Sequence, residues 1–293
     1  MTQFLDLRIQ PVGGGLATAV SLNQGTSINN YAGLSLNDLR NAVQGRHVLI
    51  ATHGFNVNRS DGINCLSKWE NLLQLNPPQL PASSAYVGLL WPGDSVWAHG
   101  LDYPDEPKVA DHAGPLLAAY IDANFGGATS ISFASHSLGA RVVLATVSAL
   151  NRQVRRVTLM APAIDDDCLN NEFQQVAAKI GAISVLASNK DSVLSVDFPL
   201  GNFISGIIAV GHPWWRAALG HCGPVKPWPA NFQPPYELPD DWTYQHGNYL
   251  QIDNPQPAPL TLPVDVPPQG TPPPAGNGWQ EAFSSAFVST RFR

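Results

Sequence analysis

The 293-residue chain is poor in charge, in cysteine and in long apolar runs, and each shortage argues against a class of protein. Charged residues make up only 13% of the chain and the formal net charge is −6. Nucleic-acid binding needs clustered Lys and Arg, so no nucleic-acid partner is expected. The three cysteines lie far apart with no C-x-x-C pair, which predicts free thiols rather than a disulfide framework and leaves a single pair open. No apolar stretch approaches the roughly 20 residues of a membrane-spanning helix.

Targeting and metal signals are also scarce. Residues 1–6 lack the basic and long apolar regions of a secretory signal, which predicts a cytoplasmic protein and leaves leaderless export open. Cys222, His221 and His212 do not match the usual spacing of zinc ligands. We therefore expect neither a metal nor another cofactor.

The chain does contain strand-length apolar runs that alternate with helical patterns. This alternation predicts an α/β fold, with a mostly parallel central sheet flanked by helices. An N-terminal pair of strands joined by a turn is followed by predicted strands at 47–53, 85–91, 130–134, 156–160 and 183–187. Predicted helices cover 66–75, 109–125, 140–150 and 169–180, and Pro115 is expected to kink or divide the second of them.

The pattern loosens beyond residue 195. Residues 212–242 hold four tryptophans and seven prolines, and residues 252–278 hold nine more prolines. We predict one domain over 1–251 and an extended, proline-rich tail over 252–293, packed on the domain and containing a short C-terminal helix. In the Trp-rich segment, Trp214 and Trp215 are candidate substrate-lining residues at an apolar mouth.

The segment Phe133–Gly139 (FASHSLG) carries the most specific chemical signal. It is close to the G-x-S-x-G motif around a serine nucleophile, with Ser135 in place of the first glycine and Ser137 at the centre. An apolar strand precedes the motif and an amphipathic helix follows it, as a nucleophile elbow requires. His136 is interpreted as structural, because adjacent side chains on a sharp turn point apart.

A serine hydroxyl needs a base and an orienting carboxylate. In proteins that carry the serine on a nucleophile elbow, the chain order is serine, acid, histidine. Asp191 follows the strand at 183–187 and is the predicted acid. Asp165, in the acidic run 165–167 one strand earlier, is the alternative acid. That run is also typical of the beginning of a helix, where negative charge is stabilised.

His246, the last histidine of the chain, is the predicted base. His212 and His221 flank the Trp-rich segment and are interpreted as packing or mouth residues. An oxyanion hole is also required, and it needs backbone N–H donors beside the serine. The predicted donors are Leu138, directly after the nucleophile, and Phe55.

Phe55 belongs to the segment His53–Asn56 (HGFN), which follows a predicted buried strand. Gly54 allows the tight turn that would aim the N–H of Phe55 at the developing oxyanion. The neighbouring Asn56 is a further candidate for lining the substrate site.

Four motifs occur in order: HGFN at 53–56, WPGD at 91–94, SHSLG at 135–139 and APAID at 161–165. With them the chain resembles the α/β-hydrolase superfamily and, within it, a largely uncharacterised bacterial esterase/lipase-like family. The resemblance spans roughly residues 45–250. It implies an acid after the next strand and a late histidine, which map onto Asp191 and His246.

Together these features predict a serine hydrolase that cleaves carboxylic esters through an acyl-enzyme, with a small-molecule ester or acyl substrate. Thioesterase, peptidase or acyltransferase chemistry on the same three residues is the alternative within enzymes. The alternative outside enzymes is a binding protein that kept the fold and lost turnover. The oligomeric state is left open.

Overall fold

The computed structural model describes residues 1–13, 15–75, 82–94, 106–197, 217–233, 236–238, 240 and 243–249. These residues form a sheet of eight strands flanked by helices. The strands are β1 (Thr2–Arg8), β2 (Leu16–Gly25), β3 (Ala32–Gly33), β4 (His47–Thr52), β5 (Ser84–Leu90), β6 (Ser130–His136), β7 (Val154–Met160) and β8 (Ile180–Leu186).

The strand order is β3-β2-β1-β5-β4-β6-β7-β8. Each neighbouring pair in the series β1-β5-β4-β6-β7-β8 is parallel. Only the hairpin β1–β2 and the short pair β2–β3 are antiparallel. The central strands β4 and β6 are buried along almost their whole length, which explains their continuous apolar runs. The α/β-hydrolase fold predicted from the sequence is confirmed. Because the strands are parallel, their carboxyl ends meet at one edge of the sheet.

The main helices are α1 (Leu36–Val43), α2 (Arg59–Leu75), α3 (Glu106–Asn124), α4 (Gly139–Ala149) and the four-residue α5 (Gln174–Ala177). Shorter turns of helix lie at Ile28–Asn30, Leu219–Cys222 and His246–Asn248, and a π-helical turn at Val193–Asp197. Helix α2 begins earlier than predicted because Asn58 caps it, accepting a 3.0 Å hydrogen bond from the N–H of Asp61.

Helix α3 runs through Pro115 without dividing. Its neighbour Gly114 sits against α4, and a Cβ there would lie 2.5 Å from the Cβ of Ala145. The lack of a side chain at Gly114 therefore lets the two helices approach closely.

The predicted helix over 169–180 was wrong in extent. Only Gln174–Ala177 is α-helical, and Ile180 already belongs to β8. The preceding residues form turns, with the N–H of Asn170 bonded to the carbonyl of Asp167 at 2.8 Å. Asp and Asn favour such local turns over helix interiors, which explains why the apolar spacing overestimated the helix.

No helix in the described part of the chain is long and apolar enough to cross a bilayer. Cys65, Cys168 and Cys222 are free thiols. The predicted proline-rich tail, 252–293, lies outside the described residues.

Candidate active site

Ser137 stands at the turn between β6 and α4, at the carboxyl edge of the sheet. Its φ of 54° lies in the left-handed region, which is costly for a residue other than glycine and is typical of strained functional turns. Its N–H is bonded to the carbonyl of Met160 on β7 at 3.0 Å, so the turn is tied to the neighbouring strand. The elbow geometry therefore holds the hydroxyl in place through the backbone.

The two ends of the SHSLG motif have different steric demands. A Cβ on Gly139 would lie 2.3 Å from the carbonyl oxygen of His53, so a side chain there would collide with the end of β4. Ser135, which replaces the first glycine of the usual motif, fits as a fully buried residue of β6. The chain thus departs from the G-x-S-x-G motif at the position where this structure accommodates a side chain.

Ser137, His246 and Asp191 form a series of hydrogen bonds. The Ser137 Oγ lies 2.9 Å from Nε2 of His246, and Nδ1 of His246 lies 2.8 Å from Oδ2 of Asp191. Asp191 is fully buried just beyond β8, and its second oxygen accepts a 3.1 Å bond from the N–H of Leu194. The ring of His246 is thereby held between a hydroxyl and a buried carboxylate.

The alternative acid lies elsewhere. Asp165 follows β7 and forms an antiparallel bridge with Ala218, and its carbonyl accepts a 3.1 Å bond from the N–H of Cys168. The ring of His246 is bonded to Asp191 rather than to this residue. His221, interpreted from the sequence as a packing or mouth residue, has its Nδ1 3.3 Å from the carbonyl of Ser188.

The segment His53–Asn56 directly follows β4 and lies against the serine. A Cβ on Gly54 would come within 2.6 Å of the Cβ of Ser137 and 3.2 Å of its Oγ. Leu138 immediately precedes the first residue of α4, where an N–H has no acceptor within the helix. Phe55 is half-buried against the core, and Asn56 is exposed with a φ of 57°. The two predicted donors therefore belong to turns that flank the serine.

His53 and Trp91 stabilise the turn at 53–56 through hydrogen bonds and ring stacking. Trp91 Nε1–H donates to the carbonyl of His53 at 3.0 Å, and the two rings stack 5.9 Å apart. His53 Nδ1–H donates to the carbonyl of Gly54 at 2.9 Å. Burial lowers the pKa of His53 to about 3, so the ring is neutral with its proton on Nδ1.

A buried ion pair extends this support. The Arg8 guanidinium donates to the carbonyls of Val57 at 3.0 Å and Trp91 at 2.8 Å, and it pairs with Asp94. Asp94 also accepts from the N–H of Gly13, and the N–H of Asn56 donates to the carbonyl of Gly93 at 2.6 Å. The WPGD motif thus connects the β1–β2 turn to the segment that flanks the serine. This connection could not be predicted from the sequence, because no local pattern links Arg8 to Asp94.

Two predicted lining residues, Trp214 and Trp215, lie outside the described residues. Trp228, in the same Trp-rich segment, is described, and it packs on Phe232 with ring centroids 5.0 Å apart. Among the described residues, no group of three or more His, Cys, Asp or Glu is arranged to hold a metal ion.

The strand order, the flanking helices and a serine at the turn after β6 define the chain as an α/β-hydrolase-fold protein. A model of the family described as "Alpha/beta hydrolase of unknown function (DUF900)" matches residues 34–216, more than half of the chain. The chain therefore belongs to this family, and membership supports a hydrolytic activity in general terms.

Similar solved structures include an uncharacterised protein from Bacillus cereus, at 17% identity and a TM-score of 0.34. They also include phospholipase PlaB from Legionella pneumophila in complex with thio-NAD, at 13% identity and a TM-score of 0.31. The aligned regions cover 56% of this chain and 50% of the first protein, and 52% of this chain and 39% of the second. The chain thus spans half or less of the length of these proteins. No curated protein matches the chain.

Proposed function

We propose that the protein is a serine hydrolase of carboxylic esters, with Ser137 as nucleophile, His246 as base and Asp191 as the orienting acid. The observation that carries the proposal is the continuous series of hydrogen bonds through these three side chains. A carboxylate only accepts, so Nδ1 of His246 carries the proton and the lone pair on Nε2 faces the serine hydroxyl.

The reaction follows from this arrangement. Nε2 of His246 takes the hydroxyl proton as the Oγ of Ser137 attacks the ester carbonyl carbon. Buried Asp191 stabilises the imidazolium that forms. The tetrahedral intermediate collapses, Nε2–H gives its proton to the departing alcohol, and an acyl-enzyme remains. A water molecule, activated by the same histidine, then releases the acid.

The negative oxygen of the tetrahedral intermediate requires donors close to the serine. The N–H groups of Leu138 and Phe55 are proposed for this role. The closeness of Gly54 to Ser137 supports it, because a Cβ on Gly54 would lie only 3.2 Å from the Oγ of the proposed nucleophile. Hydrogen bonds of His53, Trp91 and Arg8 hold this segment in place. Donors that are already in position need no reorganisation during the reaction.

The proposed substrate is a small-molecule carboxylic ester, and the reaction consumes only the ester and water. To test the proposal, the purified protein is treated with a fluorophosphonate probe and assayed with short p-nitrophenyl esters. Wild type should be labelled at Ser137 and should release p-nitrophenol, whereas Ser137→Ala should do neither. Ser132→Ala, which removes a buried hydroxyl from the same strand, is the matched control and should retain both activities. Equal labelling of wild type and Ser137→Ala would contradict the assignment.

A further inference from the structure

His136, the residue between the two serines of the elbow, makes a contact that its position in the motif does not predict. It is 3% exposed, and its Nε2–H donates to the backbone carbonyl of His246 at 2.8 Å. Residue 246 is therefore bonded to two successive residues of the elbow. Ser137 is hydrogen-bonded to the ring of His246, and His136 is hydrogen-bonded to the backbone carbonyl of His246.

We propose that His136 is a positioning residue that fixes the backbone of His246 so that its Nε2 stays aligned with the Ser137 hydroxyl. This inference rests on the proposed function and adds a fourth side chain to it. The two hydrogen bonds of the His246 ring orient it between Ser137 and Asp191, but neither of them holds the backbone that carries the ring. The bond at the carbonyl restrains that backbone, and catalytic geometry is sensitive to displacements of this kind.

The surroundings of His136 fit a residue that aligns two loops. Its ring centroid lies 4.7 Å from that of His246 and 6.1 Å from that of the fully buried Tyr249. On its other side, Nδ1 would lie 3.2 Å from a Cβ placed on Gly54. A single ring therefore contacts the loop of the base and lies beside the turn proposed to bind the oxyanion.

The charge state of His136 suits this position. Burial, and then the nearby His246, lower the pKa of His136 to about 3, so the ring is neutral at ordinary pH. Because a carbonyl can only accept, the single proton of the neutral ring is on Nε2. A charged His136 would repel the imidazolium that His246 becomes during the reaction, and its neutrality avoids that cost.

The loop of His246 has other anchors, and these make a selective test possible. The side-chain oxygen of Gln245 accepts from the N–H and Oγ of Ser192 at 3.2 and 3.1 Å, and Ser188 Oγ donates to the carbonyl of Tyr244 at 2.7 Å. Loss of the His136 bond should therefore loosen residue 246 without releasing the whole loop.

The test compares His136→Phe, which keeps an aromatic ring without a donor, with His136→Gln, whose amide places an N–H near the position of Nε2. The exposed His112→Phe on α3 is the control. Active sites are counted by fluorophosphonate labelling, so that kcat refers only to reactive protein. We expect His136→Phe to lower kcat about tenfold with little change in KM, and His136→Gln to recover most of the loss. A kcat for His136→Phe within about twofold of wild type, or no recovery in His136→Gln, would overturn the proposal.

A second measurement does not depend on activity. In ¹⁵N-histidine NMR of the wild type between about pH 5 and 8, His136 should be neutral with its proton on Nε2. The Nδ1–H signal of His246 should broaden or shift in His136→Phe and not in His112→Phe. A proton on Nδ1 of His136, or an unchanged His246 signal, would overturn the inference. A wild type that takes no label and cleaves no ester counts instead against the proposed function.

Discussion

Gly54→Ala isolates the contact between the segment 53–56 and the serine. The added Cβ would lie 2.6 Å from the Cβ of Ser137, whereas carbon atoms in contact are about 3.5–4.0 Å apart. The turn and the serine must therefore separate by about 1 Å, because the Cβ of Ser137 is attached directly to its backbone and cannot move away by rotation of the side chain. The φ of Gly54 lies outside the left-handed region, so alanine brings crowding without backbone strain of that kind.

A displacement of about 1 Å in a catalytic site costs roughly 10²-fold in rate, and loss of one oxyanion donor costs about 10²–10³-fold. We expect Gly54→Ala to lower kcat on p-nitrophenyl esters by about 10²–10³-fold with KM nearly unchanged. Phosphonylation by the fluorophosphonate should slow in parallel. The overpacked turn should also cost about 1–3 kcal/mol of unfolding free energy.

The matched control is Gly126→Ala, since a Cβ on Gly126 would meet nothing within 4 Å. It should behave as wild type in both assays. A kcat for Gly54→Ala within about threefold of wild type would refute the reasoning, because the turn would then tolerate displacement and could not be the oxyanion site.

Three further predictions follow from the site. Asp191→Asn should lower kcat by about 10³–10⁴-fold because it disturbs the tautomer of the base, while Asp165→Asn should change it little, as measured by ester hydrolysis. His53 and His136 have folded pKa values of about 3, so only the unfolded chain binds their protons between pH 3 and the unperturbed value. Stability should thus be fully present above about pH 6.5 and fall by about 1.4 kcal/mol per pH unit per histidine on acidification, as measured by urea denaturation. Arg8→Met should cost about 3–5 kcal/mol because it leaves a buried carboxylate unpaired, and it should also lower kcat.

Each of these has a contradicting outcome. Equal loss of activity in Asp191→Asn and Asp165→Asn would remove the assignment of the acid. The slope of stability against pH should be smaller in His136→Phe than in wild type, and identical slopes would count against a buried neutral ring. Exposed Arg40→Met should shift stability by no more than about 0.5 kcal/mol, and a loss as large as that of Arg8→Met would show that burial is not the cause.

The sequence was sufficient for the parallel strands, because buried parallel strands carry continuous apolar runs that turn residues delimit. It did not predict β3, whose two residues carry no such run. It failed at 169–180, where apolar spacing suggested one helix and the local bonds of Asp167 and Asn170 produced turns instead. Helix α2 was underestimated at its beginning because the cap, Asn58, lies upstream of the apolar pattern.

The candidate active site also has parts that the sequence could predict and parts that it could not. The position of Ser137 follows from a local motif, and the order of Asp191 and His246 follows from the fold. Arg8 and His136 are bonded to partners 86 and 110 residues away, so no local pattern could reveal these contacts. His136 was interpreted as structural because neighbours on a turn diverge. They do diverge, and this divergence is what lets two adjacent side chains reach different parts of residue 246.

The bond between Ser137 and His246 joins positions 109 residues apart, and Arg8, the last residue of β1, is bonded to the carbonyl of Val57, directly after the segment beside the serine. A growing chain on the ribosome that has passed the serine but has not reached residue 246 cannot form this bond. The candidate site is therefore assembled only when early, middle and late parts of the polypeptide have met.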